Sequence, residues 1–244
     1  MQRIFIKGLV LVMLFGCNSD SDETLQFGSS HFFPIELDSY IDYKVHELIF
    51  RSEGQIRDTL FYQLREEITD SYLNDLGETI YLIDRSTRTK EGQDWVYQNT
   101  AQVYISENLI IRVDDNIPFI KMELPTSTGQ QWNGNQLFDA TGGQIIGGES
   151  IDYFKEWHYK ILSDDSSISI ADARFSSILE ISQADFENKI EIRKSKEWYA
   201  PNIGLIKKTL HIVDAQCFNS CDNIPWEEKG EKGHIYEQEM INYN

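Results

Sequence analysis

The sequence predicts a mainly β protein, built as a single large curved antiparallel sheet or incomplete barrel with little helix. Apolar and polar residues alternate along many segments, as expected for half-buried strands, and residues 40–50 are the clearest example. The turns between these segments are short and rich in Gly, Asn and Asp, which excludes crossovers between parallel strands. No segment has a convincing amphipathic helix pattern.

The strongest fold signal is a strand, turn and strand between Lys189 and Asp214. Two apolar strands flank the bend that follows Trp198. Pro201 fixes one backbone angle, and Asn202 and Gly204 tolerate the left-handed conformations that a reversal needs. The ring of Trp198 is predicted to close the end of the sheet.

The other segments follow in order as a meander of antiparallel strands. The predicted strands cover residues 40–50, 56–72, 79–85, 95–97, 103–105, 109–113, 117–124, 153–162, 175–181 and 235–243. Turns are predicted at Asp114-Asp115-Asn116 and at Asp164-Asp165-Ser166. An antiparallel sheet of about eleven strands tends to curl, split or close on itself.

One segment, residues 125–150, does not fit the strand pattern. It is rich in Gly and carries Trp132 and Phe138 between the glycines. A loop of about 25 residues without regular structure is uncommon in a compact domain and is often functional or mobile.

Residues 1–16 are predicted to be a lipoprotein signal peptide. Arg3 and Lys7 precede an apolar run that is too short to span a bilayer as a stable helix. Leu14-Phe15-Gly16-Cys17 resembles the bacterial lipobox, and this resemblance implies cleavage before Cys17 and attachment of acyl chains to it. The alternative is an ordinary secretory signal that happens to contain a cysteine.

Residues 17–30 are predicted to be an acidic flexible tether, followed by one β-rich globular domain at 31–244. Asp20, Asp22 and Glu23 follow Cys17 closely. This cluster resembles the surface-export signal of lipoproteins in the Bacteroidota, and the alternative is a solvated linker. Localisation is therefore predicted at the outer membrane, on its periplasmic or cell-surface face.

The charge of the chain argues against nucleic acid as a partner. The sequence has 40 acidic and 22 basic residues, for a formal net charge of −18. Loss of Arg3 and Lys7 with residues 1–16 leaves 40 acidic and 20 basic residues, or −20. Such a surface repels nucleic acid and anionic membranes and favours a basic partner, a cation or a neutral ligand.

Cys217 and Cys221 are the two cysteines that remain after Cys17. An oxidising compartment favours a local disulfide between them. A zinc site is the alternative, with His211 and His234 available in the sequence, although the spacing matches no familiar zinc module.

The sequence contains none of the nucleophile, zinc, phosphate or dinucleotide motifs that identify enzymes, and it suggests no catalytic residue, metal or cofactor. Aromatic residues are the remaining enrichment. They line a ligand cavity or fill the core of the sheet. The candidates for ligand lining are Tyr43, Tyr153, Trp157, Tyr159 and Trp198.

The turn Tyr199-Ala200-Pro201-Asn202-Ile203-Gly204 resembles the joint between two late strands in uncharacterised lipoproteins of the Bacteroidota. The beginning of the domain, Phe33-Pro34-Ile35 followed by Tyr40 and Tyr43, is similar to theirs. Those domains look like the half-barrel of periplasmic lipoprotein carriers, a curved antiparallel sheet around an apolar hollow. The resemblance implies no established catalytic residues.

The sequence therefore leaves three functions open. The first is a non-enzymatic, lipid-anchored envelope protein that binds an apolar or extended ligand, or a protein partner, in the hollow of its sheet. The second is a structural or accessory subunit of an outer-membrane complex, whose sheet is filled by its own side chains. The third is an envelope hydrolase with an unrecognised site.

Overall fold

The computed structural model describes residues 30–170, 173–216, 221 and 223–244. The signal peptide, Cys17 and nearly all of the tether lie outside these residues and stay predictions. The strands are β1 (Tyr40–Arg51), β2 (Ile56–Leu73), β3 (Thr79–Arg88), β4 (Val96–Ser106), β5 (Leu109–Asp114), β6 (Ile117–Glu123), β7 (Gln131–Trp132), β8 (Gln144–Ile146), β9 (Glu149–Ile151), β10 (Trp157–Ile170), β11 (Ala173–Glu187), β12 (Glu191–Ala200), β13 (Gly204–Asp214) and β14 (Lys232–Tyr243). A 3-10 turn at Ser30–Phe32 and the four-residue helix α1 (Trp226–Lys229) complete the described elements.

Twelve of the strands form one antiparallel sheet, in the order β6-β5-β4-β3-β2-β1-β14-β13-β12-β11-β10-β7. The sheet curls until it is nearly closed into a barrel, so the predicted fold class is confirmed. Around the barrel each strand lies beside its neighbour in sequence, apart from the small hairpin β8–β9, which is inserted between β7 and β10.

The two edges of the sheet meet at a seam between β6 and residues 130–134. The backbone N–H of Ile120 donates to the carbonyl of Gly134 at 2.9 Å, and Trp132 Nε1 donates to the carbonyl of Ile120 at 2.9 Å. The largest apolar cluster packs across this seam and includes Val103, Ile110, Ile120, Met122, Ile161 and Ile181, all fully buried. Side-chain packing therefore closes the barrel where backbone pairing is sparse.

The β12–β13 hairpin matches its prediction. Asn202 has a φ of 59° and Gly204 a φ of 102°, so both residues of the bend adopt the left-handed region. The backbone N–H of Asn202 donates to the carbonyl of His31 at 2.6 Å, which fastens the beginning of the domain to this turn.

Two predicted boundaries were wrong. Residues 96–97 and 103–105 belong to one continuous strand, β4, instead of two short ones, and Trp95 lies just before it. The predicted turn at Asp164-Asp165-Ser166 lies inside β10, which continues to Ile170. The pairing of β10 with β11 shifts register between Ser163 and Ser166, so the polar run forms an irregular strand without reversing the chain.

The segment predicted to be irregular, residues 125–150, folds across one end of the barrel. It contains β7 and β8, and β9 begins within it. The turn of the β8–β9 hairpin at Gly147 lies against the backbone of Phe50 in β1, and Glu149 accepts a hydrogen bond from the backbone of Glu53 at 2.9 Å. The hairpin thus covers the end of the barrel opposite the β12–β13 turn.

Candidate ligand-binding cavity

The barrel encloses a cavity of about 600 Å³. Its wall comes from strands around most of the barrel and from the β8–β9 hairpin. Exposed Asn202 and Asn244 lie on its lining, so the cavity reaches the surface beside the β12–β13 turn. A cavity of this size lies within the roughly 300–1,000 Å³ typical of small-molecule sites.

Four of the five aromatic residues predicted to line a ligand site are on the cavity wall: Tyr43, Tyr153, Trp157 and Tyr159. The structure brings them together from distant parts of the chain: Tyr43 lies in β1, Trp157 and Tyr159 lie in β10, and Tyr153 lies in the turn before β10. Whether they contact a ligand stays a prediction.

Trp198 does not line the cavity. Its neighbours Glu197 and Tyr199 are on the cavity wall, and the strict alternation of β12 turns Trp198 to the other face. The ring is half-buried beside an apolar cluster that includes Ile178 and Ile206, with Lys207 Nζ 6.0 Å from its centroid. The sequence correctly placed Trp198 in a strand just before the turn, but it did not indicate which face of the sheet carries the ring.

Aromatic rings form a continuous group at the covered end, here called the aromatic cluster. Consecutive rings lie 4.9–6.0 Å apart, within the range of favourable aromatic pairs. Its members are Phe119, Trp132, Phe138, Tyr153, Phe154, Trp157 and Tyr159. Of the four rings that come from residues 125–154, Tyr153 and Phe154 line the cavity, whereas Trp132 and Phe138 do not. Residues 125–150 reach the cavity through Gln144 and Ile146 of β8.

The polar atoms of the cavity tyrosines are engaged by the protein. Tyr43 Oη donates to the carbonyl of Leu205 at 3.0 Å, and Tyr159 Oη donates to Asn135 Oδ1 at 3.3 Å. Burial raises the pKa of both phenols well above the ordinary value of 10.0. Both therefore stay neutral at physiological pH and act as walls and hydrogen-bond groups.

A network of four charges, here called the arginine cluster, lies on the β2–β5 side of the cavity. Arg112 holds Glu66 through two hydrogen bonds of 2.6 and 2.8 Å and holds Asp114 through Nε at 2.9 and 3.0 Å. Arg85 Nε lies 3.2 Å from Glu66 Oε1. The fork of Arg112 matches both carboxylates, which fixes the geometry of the cluster.

The arginine cluster keeps its carboxylates ionised. Burial alone would raise the pKa values of Glu66 and Asp114, but the charge and hydrogen bonds of Arg112 outweigh it and hold both pKa values below their ordinary range. Burial would likewise lower the pKa of Arg112, and the two carboxylates raise it well above the ordinary value. The cluster therefore carries fixed charges at neutral pH and has no group ready to exchange a proton.

A second group, the lysine cluster, crosses the cavity from β6 to β12. Lys121 Nζ donates to Glu197 Oε1 at 2.6 Å, and Tyr199 Oη donates to Glu197 Oε2 at 2.6 Å. Lys208 Nζ lies farther away, 3.6 Å from Glu197 Oε1. Burial opposes ionisation of Glu197, yet the two lysines lower its pKa from 4.5 to about 2.

A third polar chain joins Glu47, His234 and Tyr153 at the covered end. Glu47 Oε1 lies 2.7 Å from His234 Nδ1, and Tyr153 Oη lies 3.2 Å from His234 Nε2. Burial and the nearby charge of Glu47 raise the pKa of Tyr153. These contacts orient the side chains of Glu47, His234 and Tyr153. The phenol of Tyr153 stays protonated and is therefore a poor nucleophile.

Sequence reasoning missed all three charged groups. The carboxylates were too numerous to interpret one by one. A usable signal was a single charged residue inside an apolar strand, as with Lys121 in Phe119-Ile120-Lys121-Met122 and with Arg112 in β5. Such a residue points either to solvent or to a buried partner, and only the fold identifies the partner.

The remaining sequence candidates are not tested by the structure. Cys217 lies outside the described residues, so its pairing with Cys221 stays a prediction, and Cys17 also lies outside them. Over the described ranges, no three His, Cys, Asp or Glu side chains are grouped to hold a metal ion. No helix in the described part of the chain is both long and apolar enough to cross a membrane.

Solved structures of three bacterial proteins are similar to this chain at low identity and low TM-score. A candidate lipoprotein from Parabacteroides distasonis has 8% identity and a TM-score of 0.41, with 89% of this chain and 100% of that chain covered. A candidate exported protein with a YmcC-like fold from Bacteroides fragilis has 11% identity and a TM-score of 0.36, covering 87% and 98%. A LolA superfamily protein from Nitrosomonas europaea has 13% identity, a TM-score of 0.19 and 88% coverage of both chains.

No protein-family model matches the sequence, and no curated protein matches it significantly. At these identities and TM-scores the structural likeness is a resemblance in architecture and carries no assignment of ligand or partner.

Proposed function

We propose that this protein is a lipid-anchored envelope protein that binds a small ligand inside its barrel and is not an enzyme. The observation that carries the proposal is the cavity of about 600 Å³, which has an aromatic wall and fixed charges. Aromatic walls provide contact area, and a few placed polar groups provide orientation, which is the usual composition of a small-molecule site.

The cavity favours ligand binding over the alternative of a purely structural barrel. A barrel that only supported a larger complex would gain stability by filling its interior, because empty space forfeits dispersion contacts. Here the apolar side chains pack into four clusters, the largest across the seam, and the region between the arginine cluster and the aromatic cluster is left open.

The charged groups give little support to hydrolysis. The carboxylates Glu66, Asp114 and Glu197 are ionised and tied to cations, so none has the raised pKa of a general acid. The hydrogen-bonded chain of Glu47, His234 and Tyr153 ends in a phenol whose pKa is raised. The interior provides fixed charges for recognition instead.

The proposed anchor rests on the sequence from Arg3 to Cys17. Cys17→Ser should leave the protein as a soluble or uncleaved precursor, and labelled fatty acid should enter the wild type alone. Absence of label in the wild type would contradict the anchor without affecting ligand binding.

Ligand binding is tested by blocking the cavity. Leu205 lines it from β13, so Leu205→Trp should fill part of the space. Thr209→Trp is the matched control, because Thr209 lies on the same strand and pairs with the outward-facing Lys196. Native mass spectrometry of protein purified from its own envelope should show a retained small molecule in the wild type and the control, and much less in Leu205→Trp.

Thermal unfolding of both variants checks that they are folded. Equal ligand retention in Leu205→Trp and Thr209→Trp, or no retained molecule in the wild type, would contradict the proposal.

A further inference from the structure

The charge inside the barrel differs from the charge of the whole chain. The sequence has a net charge of −18, which on its own disfavours an anionic ligand. The arginine and lysine clusters together contain four cations and three carboxylates, an excess of one positive charge. Glu47 is paired separately with His234, and the acidic residues Glu36 and Asp115 lie exposed at the rim.

Three donors on the cavity wall are not saturated by the protein. Arg85 Nε is buried without a hydrogen bond among the described residues, although it lies 3.2 Å from Glu66 Oε1, and the Arg85 side chain as a whole is 25% exposed. Lys208 has only the distant contact of 3.6 Å with Glu197. Gln238 is 4% exposed, and its amide faces the Tyr43 hydroxyl, but Nε2 makes no hydrogen bond of good geometry among the described residues.

An unsatisfied buried donor costs free energy, so Arg85 Nε and Gln238 Nε2 indicate a missing acceptor. Lys208 is partly exposed and pairs with Gln238 across β13 and β14, so its ammonium lies on the same side of the barrel. A guanidinium presents two parallel N–H groups that fit a carboxylate, and an ammonium and an amide add further donors. One negative charge would balance the excess positive charge of the two clusters.

The donors connect to the aromatic cluster through a short row of side chains. Gln238 Oε1 accepts a hydrogen bond from Tyr236 Oη at 2.7 Å. The Tyr236 ring lies 6.4 Å from the His234 ring, which lies 5.7 Å from the ring of Tyr153. If the anionic group of a ligand binds these donors, the apolar part of the same ligand lies beside the aromatic rings.

We propose that the cavity binds a monoanionic amphiphile, with its carboxylate among Arg85, Lys208 and Gln238 and its apolar body against the aromatic cluster. This inference rests on the proposed function and adds the chemical class of the ligand.

The test compares three probes of equal chain length by titration calorimetry: dodecanoate, dodecanol and dodecyltrimethylammonium, each below its micelle concentration. The protein is the full chain carrying Cys17→Ser, so that no attached acyl chain competes for the cavity. Dodecanoate should bind at least about tenfold more tightly than dodecanol, because hydrogen bonds to charged groups are stronger than neutral ones. The cationic probe should bind most weakly.

Two variants then locate the carboxylate. Arg85→Gln should weaken dodecanoate binding by about tenfold and leave dodecanol binding within about twofold. Lys208→Gln should act in the same direction, and it spares the arginine cluster if Arg85→Gln disturbs folding. Lys44→Gln is the control, because Lys44 pairs with Glu239 and is more than half exposed, at 55%.

Equal affinities for dodecanoate and dodecanol would overturn the anionic ligand, and so would unchanged dodecanoate binding in both variants. Neither result would contradict the proposed function, that the cavity binds a small ligand. Failure of every probe to bind would also overturn the inference, while ligand retention from the envelope decides the proposed function separately.

Discussion

Neighbouring residues of β12 show how differently the inside and the outside of this barrel are built. Glu197 and Tyr199 face the cavity, where both are at most 1% exposed and hydrogen-bonded to each other. Trp198, between them, faces outward and is half-buried. At this point of β12 the charged residue is in the interior and the tryptophan is on the outer wall, so burial here does not follow hydrophobicity.

Burial of charge inside the barrel is stable because the charges of the arginine and lysine clusters meet opposite charges. Lys121 in β6 reaches Glu197 in β12, and Arg112 in β5 reaches Glu66 in β2, so the pairs join strands that are not neighbours. Removing one partner of such a pair leaves the other charge buried without a partner. The resulting loss of stability is far larger than that for an exposed ion pair. The comparison therefore predicts large effects inside and small effects outside.

The largest effect is expected for Arg112→Met. The change leaves Glu66 and Asp114 without their main partner, so the free energy of unfolding should fall by about 3–5 kcal/mol. Urea unfolding measures it. Lys44→Met, on the exposed outer ion pair with Glu239, is the control and should cost less than about 1 kcal/mol. Similar losses in the two variants would break the distinction between inside and outside.

The next effect concerns the pH dependence of the lysine cluster. The pKa of Glu197 falls from 4.5 to about 2 on folding, so its ion pairs stabilise the protein above pH 4.5 and are lost as the pH drops toward 2. Each unit of pKa shift corresponds to about 1.4 kcal/mol, so this contribution is about 3 kcal/mol at neutral pH.

Chemical unfolding of wild type and Glu197→Gln at a series of pH values measures this contribution. Between about pH 6 and pH 2 the wild type should lose about 3 kcal/mol more than the variant. If the free energy of unfolding depended on pH in the same way for both proteins, ionisation of Glu197 would not stabilise the fold.

The smallest effect is expected for Trp198→Ala on the outer wall. A half-buried ring loses only part of its packing, so the cost should be about 1–2 kcal/mol. Dodecanoate binding should not change, because the ring does not line the cavity. A loss of about 3–5 kcal/mol, the range for a fully buried aromatic residue, would place the ring in the core instead.

The sequence predicted the fold class, the β12–β13 bend and most strand positions, because these depend on local alternation and on turn residues such as Asn202 and Gly204. It failed where the local pattern was ambiguous. The polar run at Asp164-Asp165-Ser166 suits a turn, but pairing with β11 keeps it extended. The segment after β6 offered glycines without a pattern, since its aromatic rings pack against residues far away in sequence.

The cavity was predicted only in part. Tyr43, Tyr153, Trp157 and Tyr159 were identified from their aromatic character. The charges that shape the cavity were not, because each is identified by a partner on another strand. Lys121 and Glu197 are 76 residues apart, and Glu66 and Arg112 are 46 apart. One-dimensional patterns carry no information on such pairs.

The position of the seam has a consequence for how the chain could be reconnected. The first and last strands, β1 and β14, pair along a full ladder, and the backbone N–H of Tyr40 donates to Asn244 Oδ1 at 2.7 Å. The seam lies instead between β6 and β7, which are consecutive in sequence. A circular permutant with Tyr40 and Asn244 joined by a linker, and with new ends between Glu123 and Gln131, would keep every strand beside its present neighbours. The cut would fall between two strands that no ladder joins among the described residues, so the starting point of this meander could be moved.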